Sequence, residues 1–250
     1  MKITFFDCNC MVGKQQNRRE GEPYAALELQ TEMAYFGIHE ALVVHALSRD
    51  YNAVVGNKEI TRIKLENMKI YPVWAILPPG ADEVPPPKQF IENMMQNSVG
   101  ATIAYPMLHK FSLSHWSMGE LFKELNHHRI PLILPFNQAT WEEVFQICQQ
   151  FPDLPVIITT LDYRQLRYLL PLWQTCSNLY VDISWFSIAK IMSYLNRKGH
   201  IRNLLFGTNY PKYTPGGAVA MVTYADVNEQ DKKKIAGDNL REIIAGIRRD

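Results

Sequence analysis

Residues 131–160, PLILPFNQATWEEVFQICQQFPDLPVIITT, contain two short apolar segments on either side of an amphipathic one. The outer segments, residues 131–135 and 156–160, are apolar almost throughout, which is typical of strands in a parallel sheet that is buried on both faces. The middle segment begins at Thr140, and Glu143 follows three residues later, which is a capping-box pattern for a helix start. This stretch therefore predicts a strand, a helix and a second strand.

The same alternation extends in both directions along the chain. We predict strands over residues 3–7, 41–46, 70–77, 101–105, 131–135, 156–160, 179–183 and 203–207. We predict helices over residues 23–36, 57–67, 87–97, 116–128, 140–150, 163–175, 185–197 and 231–247. Eight consecutive units of strand and helix predict an α/β fold of the closed (β/α)8 TIM-barrel type. An open doubly wound sheet has the same local pattern and is the alternative.

Composition places the chain among ordinary globular proteins. Hydrophobic residues make up 47% and charged residues 20%, which argues against intrinsic disorder. The net charge of +1 provides no general attraction to nucleic acid or to an anionic membrane. The chain contains no apolar run of the roughly 18 residues that a membrane span needs, and its four cysteines are too few for a disulfide scaffold. We expect a cytoplasmic protein with one domain over residues 1–250.

Function in a barrel of this type resides at the carboxyl ends of the strands. Three candidate catalytic residues lie there, namely Asp7, His45 and Asp182. Two carboxylates that meet in a cavity can divide acid and base roles, and a histidine can serve as a general base. The noncatalytic alternatives are that Asp182 caps a helix and that His45 is a hydrogen-bonded residue of the barrel wall.

Side chains alternate along a strand, so the direction of Asp7 sets the direction of its neighbours. If Asp7 faces the barrel mouth, Asn9 and Met11 face it too, while Cys8 and Cys10 face the surrounding helices. A nucleophilic thiol beside His45 is then disfavoured. We expect a ligand-binding surface formed by Asn9, Met11, Tyr105, Asn137, Thr160, Asn209 and Tyr210. The segment Thr214-Pro215-Gly216-Gly217 has no phosphate-loop spacing, and we expect it to form a flexible loop over the mouth.

Several segments together resemble the amidohydrolase superfamily, in particular its branch of TIM-barrel metal-dependent hydrolases. Residues 6–13, FDCNCMVG, resemble the opening "DxHxHxG" segment of this family, and residues 205–211, LFGTNYP, resemble its "lFGSDyP" segment. Residues 178–184, NLYVDIS, and 237–241, GDNLR, are similar to two further elements. The resemblance extends over nearly the whole chain in the correct order.

The resemblance implies a metal site whose usual ligands are absent here. The family holds its metal with two histidines on the first strand, one histidine after each of strands five and six, and an aspartate after strand eight. The corresponding positions in this chain are Asn9, Met11, Pro135 or a near neighbour, Thr160 and Asn209. Because a bound cation is what lowers the pKa of its water toward about 7, these residues argue against the usual mechanism. We expect no metal and no other cofactor.

Three functions remain open on the sequence alone. The first is a metal-free relative of the amidohydrolases that binds a small polar molecule at the barrel mouth. The second is an active hydrolase or lyase on a small amide, lactone or carboxylated substrate, with a non-standard metal site or with acid–base residues only. The third is a noncatalytic subunit of a homo-oligomer or of a complex with another partner.

Overall fold

The structure is a computed structural model, and it describes residues 3–63, 68–186 and 188–249. The strands are β1 (Phe5–Val12), β2 (Ile38–His45), β3 (Lys69–Ala75), β4 (Ala101–Ile103), β5 (Leu132–Pro135), β6 (Val156–Thr159), β7 (Leu179–Asp182) and β8 (Leu204–Leu205). They form one parallel sheet in sequence order. The predicted α/β barrel is confirmed.

The first and last strands meet and close the barrel. The amide of Cys8 donates to the carbonyl of Phe206 at 2.9 Å, and the amide of Met11 donates to the carbonyl of Tyr210 at 2.9 Å. These bonds satisfy backbone groups that would be exposed at the edges of an open sheet. The open doubly wound alternative is therefore wrong.

Helices surround the barrel in the expected places, with several short ones added. They are α1 (Ala26–Tyr35), α2 (Ala46–Asp50), α3 (Ala53–Arg62), α4 (Pro87–Gln96), α5 (Pro106–His109), α6 (His115–His128), α7 (Trp141–Gln150), α8 (Leu166–Leu172), α9 (Ile191–Arg197), α10 (Gly216–Thr223), α11 (Glu229–Lys233) and α12 (Asn239–Ala245). Thr140 caps α7 by the predicted capping box with Glu143. No helix within the described ranges has the length and apolar character of a membrane-crossing segment.

The structure corrects two sequence predictions about local structure, and a third concerns residues that the structure does not describe. The glycines of the 214–217 segment begin helix α10, so this segment is not simply a flexible loop. Helix α9 begins at Ile191, six residues later than predicted. Residues 64–67, at the end of the predicted helix 57–67, lie outside the described residues, as does Ser187.

The core lies between the barrel wall and the helices, while polar side chains gather inside the carboxyl end. Fully buried aromatic side chains such as Phe6, Phe122, Phe186 and Phe206 fill the apolar layer. Asp7 and Asp182 are also 0% exposed. Since a buried charge is costly unless hydrogen bonds satisfy it, the surroundings of these two aspartates define the site.

Candidate functional site

Asn9 connects three strand ends at the barrel mouth. Its side-chain nitrogen Nδ2 donates to Oδ2 of Asp182 at 2.8 Å and to Oγ1 of Thr160 at 3.5 Å. Its backbone amide donates to Oδ1 of Asp7 at 2.9 Å. Asn9 lies on β1, Thr160 follows β6, and Asp182 ends β7. One carboxamide therefore joins residues that are far apart in the sequence.

Asp182 is the buried centre of this network. Oδ1 accepts from the backbone amide of Thr160 at 3.0 Å, and Oδ2 also accepts from Oγ of Ser184 at 2.8 Å. Burial raises the pKa of Asp182 to about 6, although the hydrogen bonds from Asn9, Ser184 and Thr160 lower it. The nearby charge of Asp7 raises it further. The pKa of this carboxyl group thus lies close to neutral pH, and the group is shielded from water.

Gly207 permits this burial, since it is where the chain of β8 passes closest to the carboxyl group. A Cβ atom at position 207 would lie 2.8 Å from Oδ2 and 3.0 Å from Cβ of Asp182. No side chain fits at that distance without displacing the carboxylate. The glycine of the 205–211 segment therefore has a packing role at this site.

Asp7 is buried beside Asp182, and within the described residues only one of its two carboxylate oxygens accepts hydrogen bonds. Oδ1 accepts from the backbone amides of Asn9 at 2.9 Å and Thr208 at 3.1 Å. Oδ2 is buried and has no hydrogen-bond partner within the described part of the chain. Burial raises the pKa of Asp7. The two carboxylates that the sequence places at strand ends both accept hydrogen bonds from Asn9.

Cys8 and Cys10 are buried, and neither thiol is set up as a nucleophile. Burial is the main cause that raises the thiol pKa of each well above its usual value, and the nearby aspartates add to it. A reactive cysteine requires the opposite shift. Met11, on the same strand, is half-buried at the rim.

His45 lies apart from the aspartates and caps helix α2. Its Nδ1 accepts from the backbone amide of Leu47 at 3.2 Å. The ring packs under Gly13, where an added Cβ would lie 2.6 Å from Nε2. Burial lowers the pKa of His45, opposed by the charge of Glu59. Over residues 3–63, 68–186 and 188–249, it forms no hydrogen bond to Asp7, Asn9 or Asp182.

The remaining predicted ligand-binding residues are distributed around the mouth. Tyr105 is buried, and its ring lies edge-on to His109 with centroids 5.5 Å apart. Asn137 is exposed in a short turn after β5. Asn209 is half-buried with a left-handed φ of 56°. Tyr210 is buried, and its hydroxyl has no hydrogen-bond partner among the described residues.

Sequence reasoning missed two residues that complete the site, Ser184 and Thr208. Both line a cavity of about 550 Å³ beside the ends of β7 and β8. Ser184 follows Asp182 by two positions and donates to its carboxylate. The available signals were the polar residue two positions after Asp182 and the polar residue directly after Gly207.

The residues at the family's metal positions do not fit a divalent cation. The Asn9 carboxamide presents its NH₂ group to Asp182 and Thr160, and an NH₂ group is a donor that cannot coordinate a cation. Met11, Pro135, Thr160 and Asn209 provide no anionic or imidazole ligand. No group of three or more His, Cys, Asp or Glu side chains suited to a metal occurs in the part of the chain that the structure describes.

Comparisons with known proteins agree on the scaffold. An amidohydrolase family model matches residues 99–243. An uncharacterised TIM-barrel protein from Bordetella bronchiseptica is 15% identical with a TM-score of 0.75, and the alignment covers 98% of this chain and 99% of that one. A putative amidohydrolase from Staphylococcus aureus is 10% identical with a TM-score of 0.74, covering 97% and 100%.

A third similar structure is a named enzyme. The 5-carboxyvanillate decarboxylase from Sphingomonas paucimobilis is 10% identical with a TM-score of 0.72, and the alignment covers 98% of this chain and 99% of that one. A search of curated proteins finds no match. Identities this low establish the fold alone. Because the family model matches more than half of the residues, the chain belongs to the amidohydrolase family.

Proposed function

We propose that this chain binds a small polar molecule at the barrel mouth without a divalent cation. The observation that carries the proposal is the hydrogen bond from the Asn9 carboxamide to Oδ2 of Asp182, 2.8 Å long. Asn9 occupies the position at which the family resemblance implies a metal-binding histidine. A hydrogen-bond donor there satisfies the carboxylate that a cation would otherwise balance.

Energetics support this proposal. A divalent ion enters a protein site only when its ligands replace a tightly held hydration shell. Neutral Asn, Met, Pro and Thr side chains do so poorly, whereas a fixed amide satisfies a buried carboxylate without an ion. The cavity of about 550 Å³ next to Ser184 and Thr208 lies within the usual size range of small-molecule sites.

The test is a metal measurement followed by ligand binding. Chain expressed with added zinc and manganese and then dialysed should retain far less than one metal ion per molecule by elemental mass spectrometry. Addition of either metal should produce no heat in calorimetry beyond the heat of dilution. One tightly held metal ion per chain would refute the proposal.

The second candidate is an enzyme that acts on a carboxylated aromatic ring by acid–base chemistry. Two observations favour it: the pKa of Asp182 is raised to about 6, and one structural neighbour is named as 2,6-dihydroxybenzoate decarboxylase from Rhizobium. Incubation with 2,6-dihydroxybenzoate should then release carbon dioxide, and Asp182→Asn should abolish the release. Absence of turnover in metal-free protein would exclude this substrate.

We also propose that the chain acts in the cytoplasm, away from nucleic acid and membranes, as a monomer or a homo-oligomer. The net charge of +1 supports the absence of a polyanionic partner.

A further inference from the structure

The cavity beside β7 and β8 has an apolar wall and a polar wall. Ile188, Ala218 and Met221 provide apolar lining. Ser184 and Thr208, which follow β7 and β8, provide polar lining, and Tyr213 lines the cavity as well. This shape suits a compact molecule with one polar group and one apolar group.

Two hydrogens on the polar wall are already used. The Ser184 hydroxyl donates to Oδ2 of Asp182 at 2.8 Å, and the Thr208 amide donates to Oδ1 of Asp7 at 3.1 Å. An ionised carboxylate only accepts hydrogen bonds, so these hydrogens are not available to a ligand. The Ser184 oxygen can therefore only accept a hydrogen bond from a ligand in the cavity, so the ligand must be the donor.

Negative charge lies behind the same wall. Asp7 and Asp182 are both completely buried, and neither forms an ion pair with any residue that the structure describes. Asp7 Oδ2, in addition, has no hydrogen-bond partner among these residues. Charges buried in protein interact more strongly than charges in bulk water, so an ionised Asp182 behind the wall favours a cation over an anion in the cavity.

Aromatic rings lie beside the cavity, which Tyr213 lines. Trp185 and Tyr213 meet edge-to-face with centroids 5.8 Å apart, and Nζ of Lys212 lies 5.8 Å from each centroid. The face of an aromatic ring attracts a cation, whereas the Lys212 ammonium repels one. The rings therefore favour a cationic ligand, and Lys212 limits its affinity.

We infer that the ligand of this cavity is a small primary ammonium ion with an apolar group, which donates to Ser184, and that carboxylates of the same size are excluded. This inference rests on the proposed function and narrows it to one chemical class. The ammonium donates the hydrogen that the Ser184 oxygen accepts, while Ile188 and Met221 contact the apolar group.

Calorimetry with three molecules that share one ring tests the inference. Benzylamine, benzyl alcohol and benzoate differ in the group that would face Ser184. At about pH 8, where Asp182 is ionised and the amine is protonated, benzylamine should bind at least about tenfold tighter than benzoate, with the alcohol between them. Equal or tighter binding of benzoate would overturn the inference and leave the proposed function standing.

Three variants extend the test. Ser184→Ala should weaken benzylamine binding by about tenfold, whereas Ser117→Ala, on helix α6, should leave it unchanged. Lys212→Met should tighten benzylamine binding, because it removes a like charge from beside Tyr213. Unchanged benzylamine affinity in Ser184→Ala, or absence of benzylamine binding to the wild type, would overturn the inference. The proposed function is overturned separately, by one tightly held metal ion per chain.

Discussion

Asn9 donates hydrogen bonds to both buried aspartates of the site. A cation would be attracted to the Asp182 carboxylate and would bring its own hydration requirement, whereas the amide provides a neutral donor held by β1 at 2.8 Å. The same residue donates through its backbone to Asp7. Asn9 therefore stabilises two buried acids at once, and the pKa of each stays above its usual value because burial dominates.

Asp182 should give the folded protein a distinct response to pH. Its pKa is about 6 when folded against an ordinary value of 3.8, so between these values the folded chain binds a proton that the unfolded chain releases. The resulting stabilisation is complete below about pH 4 and is lost as the pH rises through about 6, an effect on the order of 3 kcal/mol. Urea unfolding across this range measures it.

The control for this prediction is a pair of asparagine variants. Asp182→Asn removes the titrating group and should lose this contribution, although Asp7, whose pKa burial also raises, retains one of the same sign. Asp153→Asn, on the surface beside Arg129, should retain the wild-type slope. Identical profiles for wild type and Asp182→Asn would contradict the raised pKa.

Elements were predicted well where their signal is local. Buried strands and long amphipathic helices follow from periodicity, and the capping box at Thr140 located the start of α7 to one residue. Short helices such as α2 and α5, of five and four residues, carry too few positions for a periodic pattern. Asn9 and Asp182 are 173 residues apart in the sequence. The predicted strand order places both at the same end of the barrel, but their hydrogen bond is visible only in the folded structure.

His45 provides a test at the level of a helix. Its ring accepts from the Leu47 amide at the start of α2, which is a capping interaction worth about 1 kcal/mol. His45→Ala should therefore lower the free energy of unfolding by about that amount and leave ligand affinity at the mouth unchanged. Chemical denaturation and calorimetry measure the two quantities.

Thr140→Ala is the matched control for His45→Ala, because it removes the cap of α7. A similar loss in both variants indicates a purely structural histidine. Loss of ligand binding or turnover in His45→Ala alone would instead support the catalytic role predicted from the sequence.

At the scale of the whole molecule, the barrel of this family persists while its metal positions hold other side chains. All eight strands pair in order, and the neighbours with TM-scores of 0.75 and 0.74 align over nearly their entire length. The scaffold and the site thus depend on different residues. Apolar packing between the sheet and the helices maintains the scaffold, while a few strand-end side chains define the site.

Restoring those side chains should restore metal binding. A chain carrying Asn9→His, Met11→His, Thr160→His and Asn209→Asp should retain about one zinc ion after dialysis, because the family's ligand types then project from the same strand ends. Elemental analysis compares it with wild type and with Asn9→His/Met11→His alone, which should retain less. Failure of the fourfold variant, if folded by circular dichroism, would mean that the strand ends no longer converge as they do in metal-binding relatives.

Closure of the barrel by Cys8 with Phe206 and by Met11 with Tyr210 has a consequence for biosynthesis. While a ribosome is still making the middle of the chain, β1 has emerged but its neighbour β8 has not been translated. Until then one side of the growing sheet stays open to strands of other nascent chains. Binding by a chaperone during translation should therefore concentrate before the codons for residues 204–210 are read.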